Sequence, residues 1–230
     1  MSKVQLPPAA AELREQMKKR SLVYEQQAEK TIYVDMPSKA MEFDQLLKTH
    51  PFLQSSFAEE IQNKYKILLK FDSSNLPNID LITATLSLPP TQFVEVEDFL
   101  RDRISSVLEL VSKIMLWVYS LQTINNENED SSDKIQEALV QVEDNCNSVV
   151  DSLLQYHQTR GKLLAKLQKR RLFDVAKTLA QFDIAHAQDV KNGFIDLYNT
   201  VIGAYDSCIQ SFEGIRGGRQ RGTAGFQGMF

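Results

Sequence analysis

Apolar side chains recur along most of this chain at alternating spacings of four and three, and that rhythm defines its elements. Over residues 94–122 the seam is Leu100, Ile104, Val107, Val111, Ile114, Val118 and Leu121, the 3.5-residue period of helices that pack knobs into holes. The charged residues Arg101, Asp102, Arg103, Glu109 and Lys113 lie off it. Residues 133–169 repeat the pattern with Ile135, Leu139, Val142, Cys146, Val149, Leu153, Tyr156, Leu163 and Leu167, broken only by Arg160. A third seam fills 172–216: Leu172, Val175, Leu179 and Phe182, then Val190, Phe194, Leu197, Val201, Ala204, Cys208, Phe212 and Ile215. Only two or three residues around Arg170-Arg171 separate the last two helices, so they are expected to be antiparallel neighbours.

The first helix is thinner in apolar content. Residues 9–48 form helix with a seam at Leu13, Met17, Tyr24, Ala28 and Ile32, kinked at Pro37. Prolines at 51, 77, 89 and 90 and the run Ser73-Ser74-Asn75 make 50–93 an interhelical connection. Within it, 57–69 reads as a short amphipathic helix and Ile79–Leu88 as an extended run. The expected fold is all-α, an elongated up-down-up-down four-helix bundle in one domain over 1–230.

Two stretches break the helical pattern in informative ways. Residues 123–132, Thr-Ile-Asn-Asn-Glu-Asn-Glu-Asp-Ser-Ser, are almost wholly turn-forming and polar, with a helix amino-cap at their end. Residues 217–230 hold five of the nine glycines and finish on Met229-Phe230 beside the terminal carboxylate. A glycine-rich leash with an apolar tip is a docking tail in outline. In an up-down-up-down bundle the amino terminus, the 123–132 loop and the end of the last helix share one end. The polar loop and the sticky tail are therefore expected side by side.

Composition narrows the function classes. A net charge of −4 with a pI near 5.5 argues against a nucleic-acid binder. The apolar run Ile114–Tyr119 falls far short of the roughly 20 residues a bilayer span needs. The first sixteen residues lack a signal peptide's apolar core, so the expected residence is intracellular, cytoplasmic and/or nuclear. Cys146 and Cys208 occupy seam positions and read as buried free thiols. Asp183-Ile-Ala-His186 is a single imperfect copy of a di-iron pattern, with His186 on the seam as a hydrogen-bonded, half-buried histidine; no metal or cofactor is expected. His157 has no nucleophile signature beside it, so no catalytic residues are assigned. Arg160, inside an apolar seam, must snorkel or pair with a carboxylate such as Asp183.

Cations gather at helix ends: Lys162, Lys166, Lys169, Arg170 and Arg171 near one, Arg216, Arg219 and Arg221 near another. Phe93, Trp117, Tyr198, Tyr205 and Phe212 exceed what one slim core requires. With Leu108, Met115, Phe173 and Ile209 flanking the seams, they point to a second buried stripe and self-association.

The residues also resemble a known family, the REG (eleven-S) proteasome activators, along nearly the whole chain. The run Asp174-Val-Ala-Lys-Thr-Leu-Ala-Gln-Phe-Asp183, continuing through Ala204-Tyr205-Asp206 to Phe212-Glu213, is similar to the family's fourth helix without a gap. Tyr156–Leu167 resembles its third helix, Trp117-Val118 its second, and Lys39 with Glu42–Lys48 its first. Gly228-Met229 before a terminal aromatic looks like some family tails.

The resemblance implies a non-enzymatic ring, typically of seven copies, that caps the proteasome core particle and stimulates peptide hydrolysis by opening its axial gate. On that reading Gly228, Met229 and Phe230 would dock between core-particle alpha subunits. Asn125, Asn126, Glu127, Asn128, Glu129, Asp130, Ser131 and Ser132 would form the activating loop. The family's loop carries a proline-arginine-isoleucine-glutamate-aspartate-glycine-asparagine-asparagine-phenylalanine-glycine run. Here the aligned residues are 123–132, without its proline, arginine, phenylalanine or glycines, so the match there is one of position. A helical scaffold or membrane-surface tether without proteasome activity is the competing class, and the net charge speaks against the membrane version.

Overall fold

A computed structural model describes residues 8–69, 78–124 and 129–224 of the 230-residue chain. The described elements are helical: α1 (Pro8–Lys30), a π-helical turn (Thr31–Asp35), α2 (Met36–Thr49), a 3₁₀ turn (Pro51–Leu53), α3 (Ser55–Leu69), α4 (Ile79–Leu86), α5 (Gln92–Ile124), α6 (Glu129–Arg170) and α7 (Phe173–Ala224). The fold is all-α. α5, α6 and α7 carry the three strong seams. The helix expected over 9–48 is α1 and α2 with the π turn between them.

Proline explains that interruption. Pro37 stands at the second position of α2 and supplies no backbone N–H, while the N–H of Met36 reaches back to Thr31 O across the π turn. The extra residue per turn keeps Ala28, Ile32 and Met36 all buried.

Chain contacts divide the protein into two compact units, 1–41 with 106–144 and 199–230, and 42–105 with 145–198. In the first unit Trp117 packs on Phe212 (ring centroids 4.8 Å apart) and Tyr33 meets the edge of Phe212 at 5.8 Å. Ser21 and Ser120 hydroxyls link α1 to α5 at 3.0 Å. Burying one Trp and one Phe of this size contributes several kcal/mol by area removed from water. Met115, expected on an outer stripe, is instead part of this core. The exposed apolar residues here include Leu22, Val23, Val34 and Met41 on the first helical stretch, with Leu13 and Met17, expected on its seam, and Leu116 and Tyr119 on α5.

The second unit is built on rings. Phe194 touches Phe43 (5.0 Å) and stacks on Phe99 (5.7 Å), which in turn stacks on His50 at 4.1 Å. Here α6 and α7 run antiparallel: Arg160 faces Asp183, a Cβ at Gly193 would lie 3.6 Å from Val149, and Asn145 bonds the Asp196 carbonyl. The turn joining them is as short as expected. Arg171 adopts a left-handed conformation (φ 50°) and its N–H bonds Leu167 O at 2.7 Å, closing α6 with a cap that glycine normally supplies.

Three expectations need correction. Ile79–Leu88 is not extended but starts as helix α4, because Asn78 caps it (side chain to Asp80 N–H, 2.8 Å) and Ile82 and Leu86, one turn apart, bury together. Its β-branched composition favours a strand only where a partner strand exists. The stretch from Gly217, expected as a glycine-rich tether, is helical as far as Ala224, the end of α7. Each helical glycine costs about 1 kcal/mol relative to alanine, but extending an existing helix adds a hydrogen bond per residue without a new nucleus. Lastly, α6 starts at Glu129, inside the expected loop, where Asp130 puts acidic charge at the amino end of the helix dipole.

A stretch of α5, Gln92–Gln122, is long and apolar enough by composition to cross a membrane, yet half of its most apolar window is buried inside the fold. Its hydropathy is that of a core helix.

Candidate functional site

The described borders of the expected docking end lie in the first unit. α5 stops at Ile124 and α6 begins at Glu129, with Gln122 Nε2 donating to Gln136 Oε1 (2.8 Å) across the base of the hairpin. Ser132 is buried, Ser131 half-buried and Asp130 exposed. The carboxyl part of α7 runs against the start of α6: a Cβ added at Gly214 would meet Ser131 Oγ at 3.6 Å, ordinary van der Waals contact. The structure thus brings the start of α6 and the late part of α7 together. Among the expected activating residues, Glu129, Asp130, Ser131 and Ser132 belong to the first turn of α6. Asn125, Asn126, Glu127 and Asn128, and the docking residues Gly228, Met229 and Phe230, lie outside the described residues.

The second unit holds a buried polar cluster that sequence reasoning found only in part. Asp183 on α7 is fully buried. Its carboxylate accepts from Tyr65 OH (2.8 Å), Tyr156 OH (2.8 Å), Arg160 Nε (3.0 Å) and Arg160 Nη2 (3.2 Å). Arg160 Nη2 also donates to the carbonyls of Leu86 (3.0 Å) and Leu88 (3.1 Å). The Arg160–Asp183 pair anticipated from the seam is therefore present. Its grip on the end of α4 and its two phenol donors were not visible in the pattern. Burial, reinforced by the Asp183 charge, pushes both phenols up, so they remain donors at any physiological pH. Burial alone would lower the Arg160 guanidinium; its hydrogen bonds to Asp183 outweigh this and raise it.

Beside it stands a second group. Glu97 on α5 is 5% exposed. His157 Nε2 on α6 lies 2.8 Å from Glu97 Oε1 and 3.0 Å from Oε2, and Arg101 Nη2 3.5 Å from Oε2. His186 on α7 stacks on Tyr156 with ring centroids 3.7 Å apart and meets the edge of Phe93 at 5.0 Å. Contrary to expectation its Nε2 is buried without a hydrogen bond, 3.9 Å from Glu97 Oε1. Burial pulls its pKa down to about 4, with the His157 charge adding to the effect, so the ring is neutral near pH 7.

This chemistry is structural rather than catalytic. Neither cysteine is in a disulfide, both are buried, and burial pushes the Cys208 thiol up to about 12, which leaves it a poor nucleophile. The phenols are tied to Asp183.

Comparison with known proteins agrees with the fold. A solved structure, "Crystal structure of the 11S subunit of the Plasmodium falciparum proteasome, PA28", is similar over 93% of this chain and 96% of that chain, with TM-score 0.62 and 18% sequence identity. It shares the all-helical fold. No curated protein sequence matches. The family described as "Proteasome activator PA28, C-terminal" matches residues 88–224, more than half of the chain, covering α5, α6 and all of α7. This chain therefore belongs to the PA28 family of proteasome activators, regulators of a peptidase and not peptidases themselves.

Proposed function

We propose that this chain is the subunit of a homo-oligomeric ring, heptameric as the family resemblance implies. The ring docks on the alpha-subunit face of the proteasome core particle through its carboxyl-terminal tails. It then opens the axial gate to stimulate peptide hydrolysis, in the cytoplasm and/or the nucleus. Gly228, Met229, Phe230 and the terminal carboxylate are the docking residues; Asn125–Ser132 is the activating segment.

The observation that carries this reading is the packing of Gly214 beside Ser131. It sends the chain toward the tail and the 125–132 segment from neighbouring points, as a shared target requires. Exposed Leu22, Val23, Val34, Met41, Leu116 and Tyr119 supply apolar surface for neighbouring copies to cover. A few anchored residues per tail bind weakly, but several tails on one ring raise avidity by roughly 10²–10⁴. Gate opening follows if the loop contacts the open gate better than the closed one.

Two variants test the two halves. Deleting Met229-Phe230 abolishes co-purification of core particle while native mass spectrometry still shows the assembled ring; undiminished co-purification refutes the docking assignment. Replacing residues 125–132 with a Gly-Ser loop keeps binding and loses stimulation of fluorogenic-peptide cleavage. Full stimulation by that variant removes the activating role.

A further inference from the structure

The first unit presents a ridge and a groove at one height. On α5, Leu116 and Tyr119 stand three apart on one helical face and are 46% and 49% exposed. Between α6 and α7 runs an open groove of about 400 Å³, lined wholly by uncharged residues, among them Ala138, Gln141, Gly203, Ala204 and Ser207. Outside its own helix, nothing lies within 4 Å of a Cβ placed at Gly203, so the groove has room there. Gln122 meets Gln136 across the α5–α6 hairpin. Three residues back along α5 and three on along α6 lie Tyr119 and Leu139, next to Ala138; three more in each direction lie Leu116 and Val142, next to Gln141. Ridge and groove thus differ in height by about 1.5 Å, one residue's rise.

The second unit repeats the relation on its own contacts. Arg160 reaches the Leu88 carbonyl ahead of α5 while His157 reaches Glu97, so α5 and α6 are antiparallel here too. Exposed Glu95, Asp98 and Asp102 recur three and four apart on one face of α5. Counted from the Glu97–His157 contact, Thr159, Gln155 and Ser152 of α6 lie level with them within a residue. These three line a second groove between α6 and α7, of about 310 Å³, with exposed Lys162 one turn beyond. Asp189 is the one acid in that lining. Carboxylates crowded on one helical face repel one another mildly. Hydroxyl, amide and ammonium donors at their own height are what would settle them.

Building on the ring assembly proposed for this chain, we propose that its subunit interface seats the exposed face of α5 of one copy in the α6–α7 groove of the next. Tyr119 and Leu116 fill the space over Ala138 and Gly203, a ridge entering a groove. Glu95, Asp98 and Asp102 meet the hydroxyls, amide and ammonium of Ser152, Thr159, Gln155 and Lys162. Two distinct surfaces make this contact head-to-tail, and such a contact closes into a ring only when successive copies do not climb. The matched heights meet that condition within each unit. A two-fold dimer would instead need one surface that is its own complement.

Leu116→Asp and Gly203→Trp, made singly in the full chain, test this. Each should keep its helical circular dichroism, since Leu116 is half exposed and a side chain at 203 has room. By native mass spectrometry and sedimentation, each should raise the concentration needed for assembly at least about tenfold. Mixed one to one, the two should form a dimer and stop there. The intact ridge of the Gly203→Trp chain enters the intact groove of the Leu116→Asp chain, and the two surfaces left over are the spoiled ones. Full-size assembly by both single variants, or a mixture that gives no dimer, overturns this interface while the ring itself stands. A wild-type chain that stays monomeric overturns both.

Discussion

Replacing Arg160 with methionine is the most direct test of what holds the second unit together. The substitution keeps the length and apolar stem of the side chain and deletes the guanidinium. Asp183 would remain fully buried with two phenol donors, having lost two of its four hydrogen bonds and its counter-charge. The carbonyls of Leu86 and Leu88 would lose their donor as well. Removing one partner of a buried ion pair costs about 3–5 kcal/mol, chiefly because the other charge is left uncompensated. For a chain of this size that lowers the thermal midpoint by roughly 10 °C. Far-UV circular dichroism during urea and thermal unfolding reads the loss, at fixed protein concentration because assembly contributes to apparent stability.

Hydrogen exchange adds spatial content to that measurement. If Arg160 pins the end of α4, amide protection over residues 79–88 should fall more than in the first unit, where Trp117 and Phe212 pack without it. Lys48→Met, which deletes an exposed i,i+4 partner of Asp44, is the control and should leave the midpoint unmoved. An Arg160→Met protein that unfolds at the wild-type midpoint, with 79–88 still protected, would falsify the claim that this network clamps the connection to α6 and α7.

One further substitution and one chemical treatment read other parts of the fold. Gly161→Ala lies mid-helix in α6 with nothing within 4 Å of the new Cβ, so it should stabilise by about 1 kcal/mol through helix propensity; a lowered midpoint by calorimetry contradicts the placement of that face. The Cys208 thiol, pushed up to about 12 by burial, is almost fully protonated at pH 8. It should resist Ellman's reagent in the native protein and react at once in guanidinium, and mass mapping of rapid native labelling at Cys208 would contradict its burial.

How much of this was legible in the sequence depends on the range over which each feature is encoded. The seam of α5 is a local property: a side chain every three or four residues on one helical face. All seven of Leu100, Ile104, Val107, Val111, Ile114, Val118 and Leu121 are indeed buried. The burial of both cysteines and the tight turn at Arg170-Arg171 follow from the same local periodicity. Connection 50–93 was harder, since α3 and α4 are short and take their stability from packing. Tyr65 reaches Asp183 across 118 positions, a contact that no period announces.

The polar cluster shows the same boundary from the other side. Arg160 stood out because a cation interrupted an otherwise apolar series. Glu97 carried an equal signal that went unused: stepping the α5 seam back three from Leu100 lands on Glu97, and four further lands on Phe93, both buried. A charge at a seam position cannot stay solvated, so it must find a partner on a facing helix. The seam identifies such a residue without naming the partner, because several facing positions satisfy the same periodicity. Only the packing of α5 beside α6 and α7 selects His157 and brings His186 near. The same limit governs the docking end, where Gly214 lies against Ser131 without any single motif to announce it. Functional placement in a helical protein of this kind is thus carried by inter-helix register, and charged residues on the seams are the positions from which that register can be tested by mutation.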